Sequence, residues 1–318
     1  MSIPTVAILG ATSHIAKSLI AQFLAHGGFN LHLYARAPER MQAFLETLEG
    51  GKKTFEINRN FQAITQHAYD VLINCVGVGT HKKLQGDYTR YFKVTEEFDN
   101  LVLAYLINHN PDALYIRFSS GAVYGHSFSA PVTEDSVNSI MVNHITPQDY
   151  YGIAQLNAEA KHRAFKGLKI VDLRLFSYFS RFIDISEGYF ITEVMDCILH
   201  HKILETDEMN IVRDYVDPDD LFTIILQCMQ AGRINTALDV TSAKPVEKKE
   251  ILDYFSENHG LRYEVLKSIN NASPTGSKNT YCSDYRNAET IGFYPHYHSM
   301  ETIIREAKYI LGSGNIKN

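Results

Sequence analysis

The residues from Gly10 to Ile15 have the types and the spacing to hold a phosphate. Thr5–Leu9 is an apolar run. Gly10-Ala11-Thr12-Ser13-His14 is a turn of mostly small residues. From Ile15 onward the apolar positions Ile15, Leu19, Ile20, Phe23 and Leu24 recur at helical spacing. The pattern reads as strand, tight turn, helix. Gly10 permits the sharp turn, and the first free N–H groups of the helix point at whatever anion sits there. Ser13 and Ala16 stand where a G-x-x-G-x-x-G fingerprint carries its later glycines. Both are small; Ser13 adds a hydroxyl donor, and Ala16 still allows close helix–strand packing. The same residues would also serve an ordinary βα turn, so the rest of the chain has to decide.

The elements that follow supply the frame. Strands are expected at Asn30–Tyr34, Lys53–Ile57, Asp70–Cys75, Ala113–Phe118 and Leu168–Leu175. Helices are expected from Pro38 to Glu49, Asp87 to Ile107 and Tyr150 to Phe165. Such alternation predicts an α/β fold, a doubly wound parallel sheet of Rossmann type covered on both faces. After residue 176 the rhythm changes. Short helices (about 187–202, 217–232, 246–259 and 298–311) mix with isolated strands near 210–213, 237–240 and 261–266. We read residues 1–176 as a dinucleotide-binding domain and 177–318 as a smaller α+β substrate-binding part, the two free to interleave. Ligands of open α/β sheets bind outside the strands' C-terminal ends, so a cleft is expected between the parts. Asn270–Thr280 reads as a loop and Gly312–Asn318 as a frayed tail.

Composition narrows the class. With 318 residues, 21% of them charged, and a net charge of −6, the chain has no general attraction to nucleic acid. No apolar run approaches the ~20 residues of a membrane span, and no signal peptide is read, so a cytoplasmic protein is expected. The four cysteines are widely spaced and read as buried free thiols. Neither His200-His201 nor His296-Tyr297-His298 has the i, i+4 spacing of a metal site, so no metal is expected.

Three further stretches carry a resemblance. They are Phe118-Ser-Ser-Gly-Ala-Val-Tyr-Gly125, Tyr150-Tyr-Gly-Ile-Ala-Gln-Leu-Asn-Ala-Glu159 and Val212-Arg-Asp-Tyr-Val-Asp-Pro-Asp-Asp220. With the N-terminal turn, in this order and at these intervals, the chain resembles the extended short-chain dehydrogenase/reductases, the NAD-dependent epimerase/dehydratase family of nucleotide-sugar enzymes. Pro131–Asp135, Ala237–Thr241 and Ile291–Pro295 extend the likeness nearly end to end. The resemblance implies a catalytic serine, tyrosine and lysine, which fall on Ser120, Tyr151 and position 155. The serine orients the substrate oxygen, and the tyrosine exchanges a proton with it while hydride moves to or from nicotinamide. The lysine grips the nicotinamide ribose and eases ionisation of the tyrosine. Here position 155, one helical turn past Tyr151, is Gln155.

That substitution has a direction. An unperturbed phenol has a pKa of about 10, so roughly one in a thousand is ionised near pH 7. A neighbouring cation raises that fraction, and glutamine supplies none. Oxidation needs Tyr151 as a base and suffers most; reduction needs it as an acid. Gly121 and Ala122 stand where the family's dehydratases carry an acid pair, which argues against dehydration. At the end of the second strand an acid would bind the ribose of NAD. Arg36, with Arg40 one turn on, instead suits the 2′-phosphate of NADP. Thr12, His14, Asn74, Val76 and Gly77 complete the expected cofactor contacts, with Asn58 near the adenine. Tyr124, His126, Arg181 and Arg213 are the expected substrate side chains, Arg213 facing the diphosphate or else pairing with Asp214 or Asp217. The reading is an NADP(H)-dependent reductase of a nucleotide-linked 4-keto-6-deoxy sugar, and a homodimer through the helices near 87–107 and 150–165. Its rivals are a nucleotide-sugar 4-epimerase that retains its cofactor, and a non-catalytic NADP(H)-binding regulator.

Overall fold

Successive side chains of a strand point to opposite faces, and β1 (Thr5–Leu9) buries both. Val6 and Ile8 pack on one side, Ala7 and Leu9 on the other. The computed structural model describes residues 3–48, 54–78, 84–266 and 279–312. In the first part β1 is followed by α1 (His14–His26), β2 (Asn30–Tyr34), α2 (Pro38–Thr47), β3 (Phe55–Asn58) and β4 (Val71–Asn74). Then come α3 (Thr89–Asn108), β5 (Leu114–Ser120), α4 (Pro147–Ala164) and β6 (Lys169–Leu175). The second part holds β7 (Ser177–Tyr178), α5 (Phe190–Leu199), β8 (Ile203–Asp207), β9 (Val212–Arg213), β10 (Tyr215–Val216) and α6 (Pro218–Gln230). It ends with β11 (Asn235–Val240), β12 (Val246–Glu247), α7 (Lys248–His259), β13 (Arg262–Leu266), β14 (Thr280–Tyr281) and α8 (Ser299–Gly312).

The main sheet has the order β11-β6-β5-β4-β1-β2-β3, with every neighbouring pair parallel. It is the doubly wound Rossmann-type α/β sheet that the alternation predicts. The strand order reverses between β1 and β4, which places a crevice outside their C-terminal ends. One face is covered by α1, α2 and α6 through Leu19, Phe23, Phe44, Leu221 and Ile224, among others. On the other face Val102, Leu103 and Leu106 of α3 pack on Ala7, Leu72 and Ile170. A second core joins α5, α7 and α8 through Val194, Met195, Phe255 and Ile303.

Several elements differ from the sequence reading. The strand expected near 237–240 as an isolated piece is β11, the seventh strand of the main sheet, where Leu238 and Val240 cover the edge of β6. α6 returns with it and lies on α1, with the Phe23 and Phe222 rings 5.0 Å apart. β11 and α6, both beyond residue 176, are therefore part of the main sheet and of the layer that covers it. β8 was not expected. Its inward positions are Leu204 and Thr206, so only one of its buried residues is apolar, and it pairs in parallel with β13. α4 starts at Pro147, ahead of the Tyr150 expected. The Asp149 carboxylate accepts both the backbone N–H and the hydroxyl of Thr146 at 2.8 Å, and proline suits the first turn. Most of the loop expected at Asn270–Thr280, the tail beyond Gly312, and Lys53 and Gly79 lie outside the described residues.

Candidate active site

The turn after β1 is pressed against the end of β4. Gly10 has φ +73°, and a Cβ there would lie 3.0 Å from the Cys75 carbonyl. Glycine is what permits both the angle and the approach. Gly10 N–H and Ala11 N–H both donate to Tyr34 O, and the Ser13 hydroxyl accepts the Ala16 N–H at 3.2 Å to cap α1. Ser13, His14 and Ile15 then line a cavity of about 340 Å³, together with Cys75 to Val78 beyond β4. This is the crevice that the strand reversal predicts.

β5 and α4 bring the expected catalytic pair to the same cavity. Ser120 ends β5, where its hydroxyl accepts the Ala122 N–H at 3.2 Å. Tyr151 stands in the first turns of α4. A Cβ on the next residue, Gly152, would lie 2.4 Å from the Ala122 carbonyl oxygen, so α4 rides directly on the turn that Ser120 opens. Tyr151 is held by Ser120 and feels the charge of Arg117. Both favour the phenolate, but burial opposes it more strongly and keeps the phenol above its ordinary range. Gln155 lines the cavity one turn further on.

Two site residues are absent from the sequence reading. Arg117, in the middle of β5, is 4% exposed and lines the cavity. Its Nη2 donates to Gln155 Oε1 at 2.6 Å, and its Nη1 lies 3.4 Å from Asp172 Oδ1. The site thus has a cation next to position 155 although the residue there is neutral. A signal existed: a charge inside the apolar run Leu114-Tyr-Ile-Arg-Phe118 must be paired once buried. Tyr281 is the other, its phenol 2.9 Å from the Ser120 hydroxyl. No local pattern marks it, because 161 residues separate the partners.

Other expected residues fall differently. Arg181 does not face the cavity. It is bonded to the buried Glu306 of α8, with Nη2 2.6 Å and Nε 2.9 Å from the carboxylate, and its guanidinium lies over the Tyr309 ring. Tyr124 is likewise outside the lining. Its hydroxyl donates to Asp239 and accepts from Arg174 Nη1 at 2.7 Å. The Asn74 side chain is spent on closing the strand end, accepting the Val76 N–H at 3.0 Å and donating to Tyr115 Oη. Thr12, Arg36 and Arg40 are exposed and outside the cavity lining. His126 lines the cavity and pairs with Asp149 at 2.9 Å.

Arg213 does line the cavity, and burial lowers its pKa. The acids that could have neutralised it are engaged elsewhere: Asp214 accepts the Ser242 N–H, and Asp217 caps α6 and meets Arg305. A desolvated arginine facing a cavity is a site for an anion. Three features suit a dinucleotide. His14 and Ile15 stand at the start of α1, where backbone N–H groups precede any intrahelical acceptor. Gln155 offers an amide at the cavity wall. Asn58 Nδ2, at the end of β3 and outside the cavity lining, is buried without a partner among the described residues. One trio of possible metal ligands exists among the described residues, His32, Glu56 and His67. It lies on β2, β3 and the segment after β3, away from the cavity.

Residues 6–241 match the NAD dependent epimerase/dehydratase family, and the chain belongs to that family. Its structure is similar to a UDP-N-acetylglucosamine 4-epimerase from Methanobrevibacter ruminantium in complex with UDP-N-acetylmuramic acid. The TM-score is 0.79 at 16% identity, covering 98% of this chain and 100% of the other. It is also similar to the UDP-glucuronic acid 4-epimerase of Bacillus cereus in complex with UDP-glucuronic acid and NAD (TM-score 0.77, 18% identity, 97% and 99% covered). A UDP-glucose 4-epimerase from Thermotoga maritima with UDP-glucose gives a TM-score of 0.77 at 17% identity, with 97% and 99% covered. No curated protein matches the sequence. Among the described residues no helix is long and apolar enough to cross a membrane.

Proposed function

We propose that the protein is a nucleotide-sugar 4-epimerase that retains a nicotinamide dinucleotide. The observation that carries this reading is the meeting of Ser120 and Tyr151 in one cavity, between the Gly10 turn and the desolvated Arg213. Family membership and the likeness to 4-epimerases support it. The sequence argument for a reductase took position 155 to leave the site without a cation; Arg117 beside Gln155 supplies one, although burial still holds the Tyr151 phenol above its ordinary range.

The pyrophosphate of the dinucleotide would lie at Ser13–Ile15, the adenine near Asn58, and the nicotinamide ribose at Gln155. When bound, the dinucleotide would supply the hydride acceptor and donor for C4 of the sugar. Ser120 donates a hydrogen bond to the sugar 4-oxygen and orients it. Tyr151 accepts the 4-hydroxyl proton as the carbonyl forms and gives it back as the carbonyl is reduced. Arg213 holds the diphosphate, so that the sugar can turn while its anchor stays put. Arg36, just past β2, is where the 2′-phosphate of NADP would be recognised. That residue favours the second reading, an NADPH-dependent keto-sugar reductase. A homodimer through α3 and α4 and a cytoplasmic setting belong to the same reading.

The test is incubation with UDP-glucose, UDP-N-acetylglucosamine and UDP-glucuronic acid, with NAD or NADP, followed by separation of the 4-epimers. Epimer formation without net cofactor turnover is expected, with a fall of about 100- to 10,000-fold in Tyr151→Phe. Stoichiometric oxidation of NADPH by a keto-sugar, with no epimer from any of these substrates, would establish the reductase instead.

A further inference from the structure

The family resemblance puts a lysine one turn past Tyr151, and this chain has Gln155. The amide is not isolated. Arg117 and Ser119 alternate on β5 and share the α4 side of the sheet: Arg117 Nη2 donates to Gln155 Oε1 at 2.6 Å, and the Ser119 hydroxyl donates to Glu159 at 2.6 Å. A guanidinium can only donate, so the end of the amide it meets is the oxygen. The two ends of an amide are opposed, so this bond turns Nε2 away from Arg117, which leaves it as the donor for a ligand in the cavity.

Arg117 also keeps much of its charge. Its near anion is Asp172 Oδ1 at 3.4 Å, and Asp172 is shared. The same carboxylate meets His162 Nδ1 at 2.9 Å and Arg163 Nη2 at 2.9 Å. One negative charge is thus divided among three cationic groups. Glu159 and Asp99 stand further off, and they are in turn held by Arg174, and by Lys161 and His162.

We propose that Arg117 and Gln155 together replace the single lysine: Arg117 supplies the fixed positive charge behind Tyr151, and Gln155 relays it as a polarised N–H to the cofactor ribose. The inference rests on the reading of Tyr151 as the acid–base group. In that scheme Gln155 would touch cofactor, and Arg117 is a positioning residue acting through it and through its field. The other groups facing Tyr151 are Ser120 on β5, Tyr91 on α3, Tyr189 before α5 and Tyr281 on β14, with Glu187 acting on Tyr189 and Arg213 on Tyr281. Of these partners Arg117 is the cation that Tyr151 feels directly. An arginine is suited to the role because it does not lose its proton when buried.

The test places a difluorotyrosine at position 151, whose more acidic phenol titrates where the protein is folded, and follows it by fluorine NMR in cofactor-free protein. Arg117→Met is expected to raise the titration midpoint by about one unit, a tenfold loss of phenolate at a given pH. Arg117→Lys should restore most of it, as should the double variant Arg117→Met/Gln155→Lys, which moves the charge to the family's position. With the natural tyrosine, the rise of kcat with pH should move to higher pH in Arg117→Met, with the KM for the sugar nucleotide changed less than about threefold. An unmoved midpoint in folded Arg117→Met overturns the proposal and leaves Arg117 as an ion partner of Asp172. Should that variant not fold, Arg117→Gln, which removes the charge but keeps a side-chain N–H donor, decides by the same midpoint: a rise of about one unit is expected, and an unmoved midpoint overturns the proposal. Failure of the underlying reading is separate: it is the retention of activity by Tyr151→Phe.

Discussion

Replacing Gly152 by alanine tests whether the contact between α4 and the turn after β5 sets the geometry of the site. Gly152 lies inside α4, next to Tyr151. In an unconstrained helix interior the change to alanine stabilises by about 1 kcal/mol. Here the new Cβ would lie 2.4 Å from the Ala122 carbonyl oxygen. Ordinary carbon–oxygen contact is at about 3.3 Å, so the two segments must part by roughly 1 Å. The oxygen cannot simply turn aside, because it accepts the Gly125 N–H at 3.0 Å within the same turn. Overpacking of this kind costs about 1–3 kcal/mol, against a propensity gain of about 1 kcal/mol. The expected result is a net loss of about 0–2 kcal/mol in denaturant unfolding. The functional loss should be larger. Ser120 opens the turn and Tyr151 rides on α4, and a misplacement of about 1 Å costs on the order of 100-fold in rate. Gly167→Ala is the control, since a Cβ there meets nothing within 4 Å. A Gly152→Ala protein as stable as the parent, with kcat within about threefold, would refute the reasoning.

Other outcomes follow from the same geometry. Arg213→Met should raise the KM for the nucleotide sugar by about 10- to 100-fold with little change in kcat, reflecting one charged hydrogen-bonding contact of about 1.5–3 kcal/mol; steady-state kinetics separate the two. Arg181→Met should leave that KM unchanged but lower stability by about 2–3 kcal/mol, below the 3–5 of a fully buried pair, because it strands the 1% exposed Glu306. His162 presents one ring nitrogen to Asp99 at 2.6 Å and the other to Asp172 at 2.9 Å, so both must donate and the ring is protonated. These carboxylates raise its pKa above 6.5 against the opposing effect of burial. The stability it contributes is complete below pH 6.5 and is lost as pH rises through the raised value. Unfolding measured across that range should show the decline in the parent, and His162→Gln should lack it.

The local parts of this protein were legible in its residues. An apolar run, Gly10 and an amphipathic helix define the first turn, because turn angle and helix start depend on neighbours in sequence. The alternation of strands and helices was enough for the doubly wound sheet, and the crevice follows from the strand order. Tyr151 and Gln155 share a helix face by spacing alone. What spacing cannot show is which distant group completes each charge. Arg181 and Arg213 both looked like substrate-binding side chains. Glu306, 125 residues away, neutralises the first, while the acids next to the second are turned elsewhere. Likewise β11 is an edge strand of the main sheet because β6 has an open edge there, a fact held by no single segment. The neutral residue at position 155 suggested a site without a cation. Packing of β5 against α4 brings Arg117 onto that amide across 38 residues. Local backbone chemistry is a property of contiguous residues, but the field at a buried phenol is a sum over everything the fold encloses. Only the tertiary structure performs that sum.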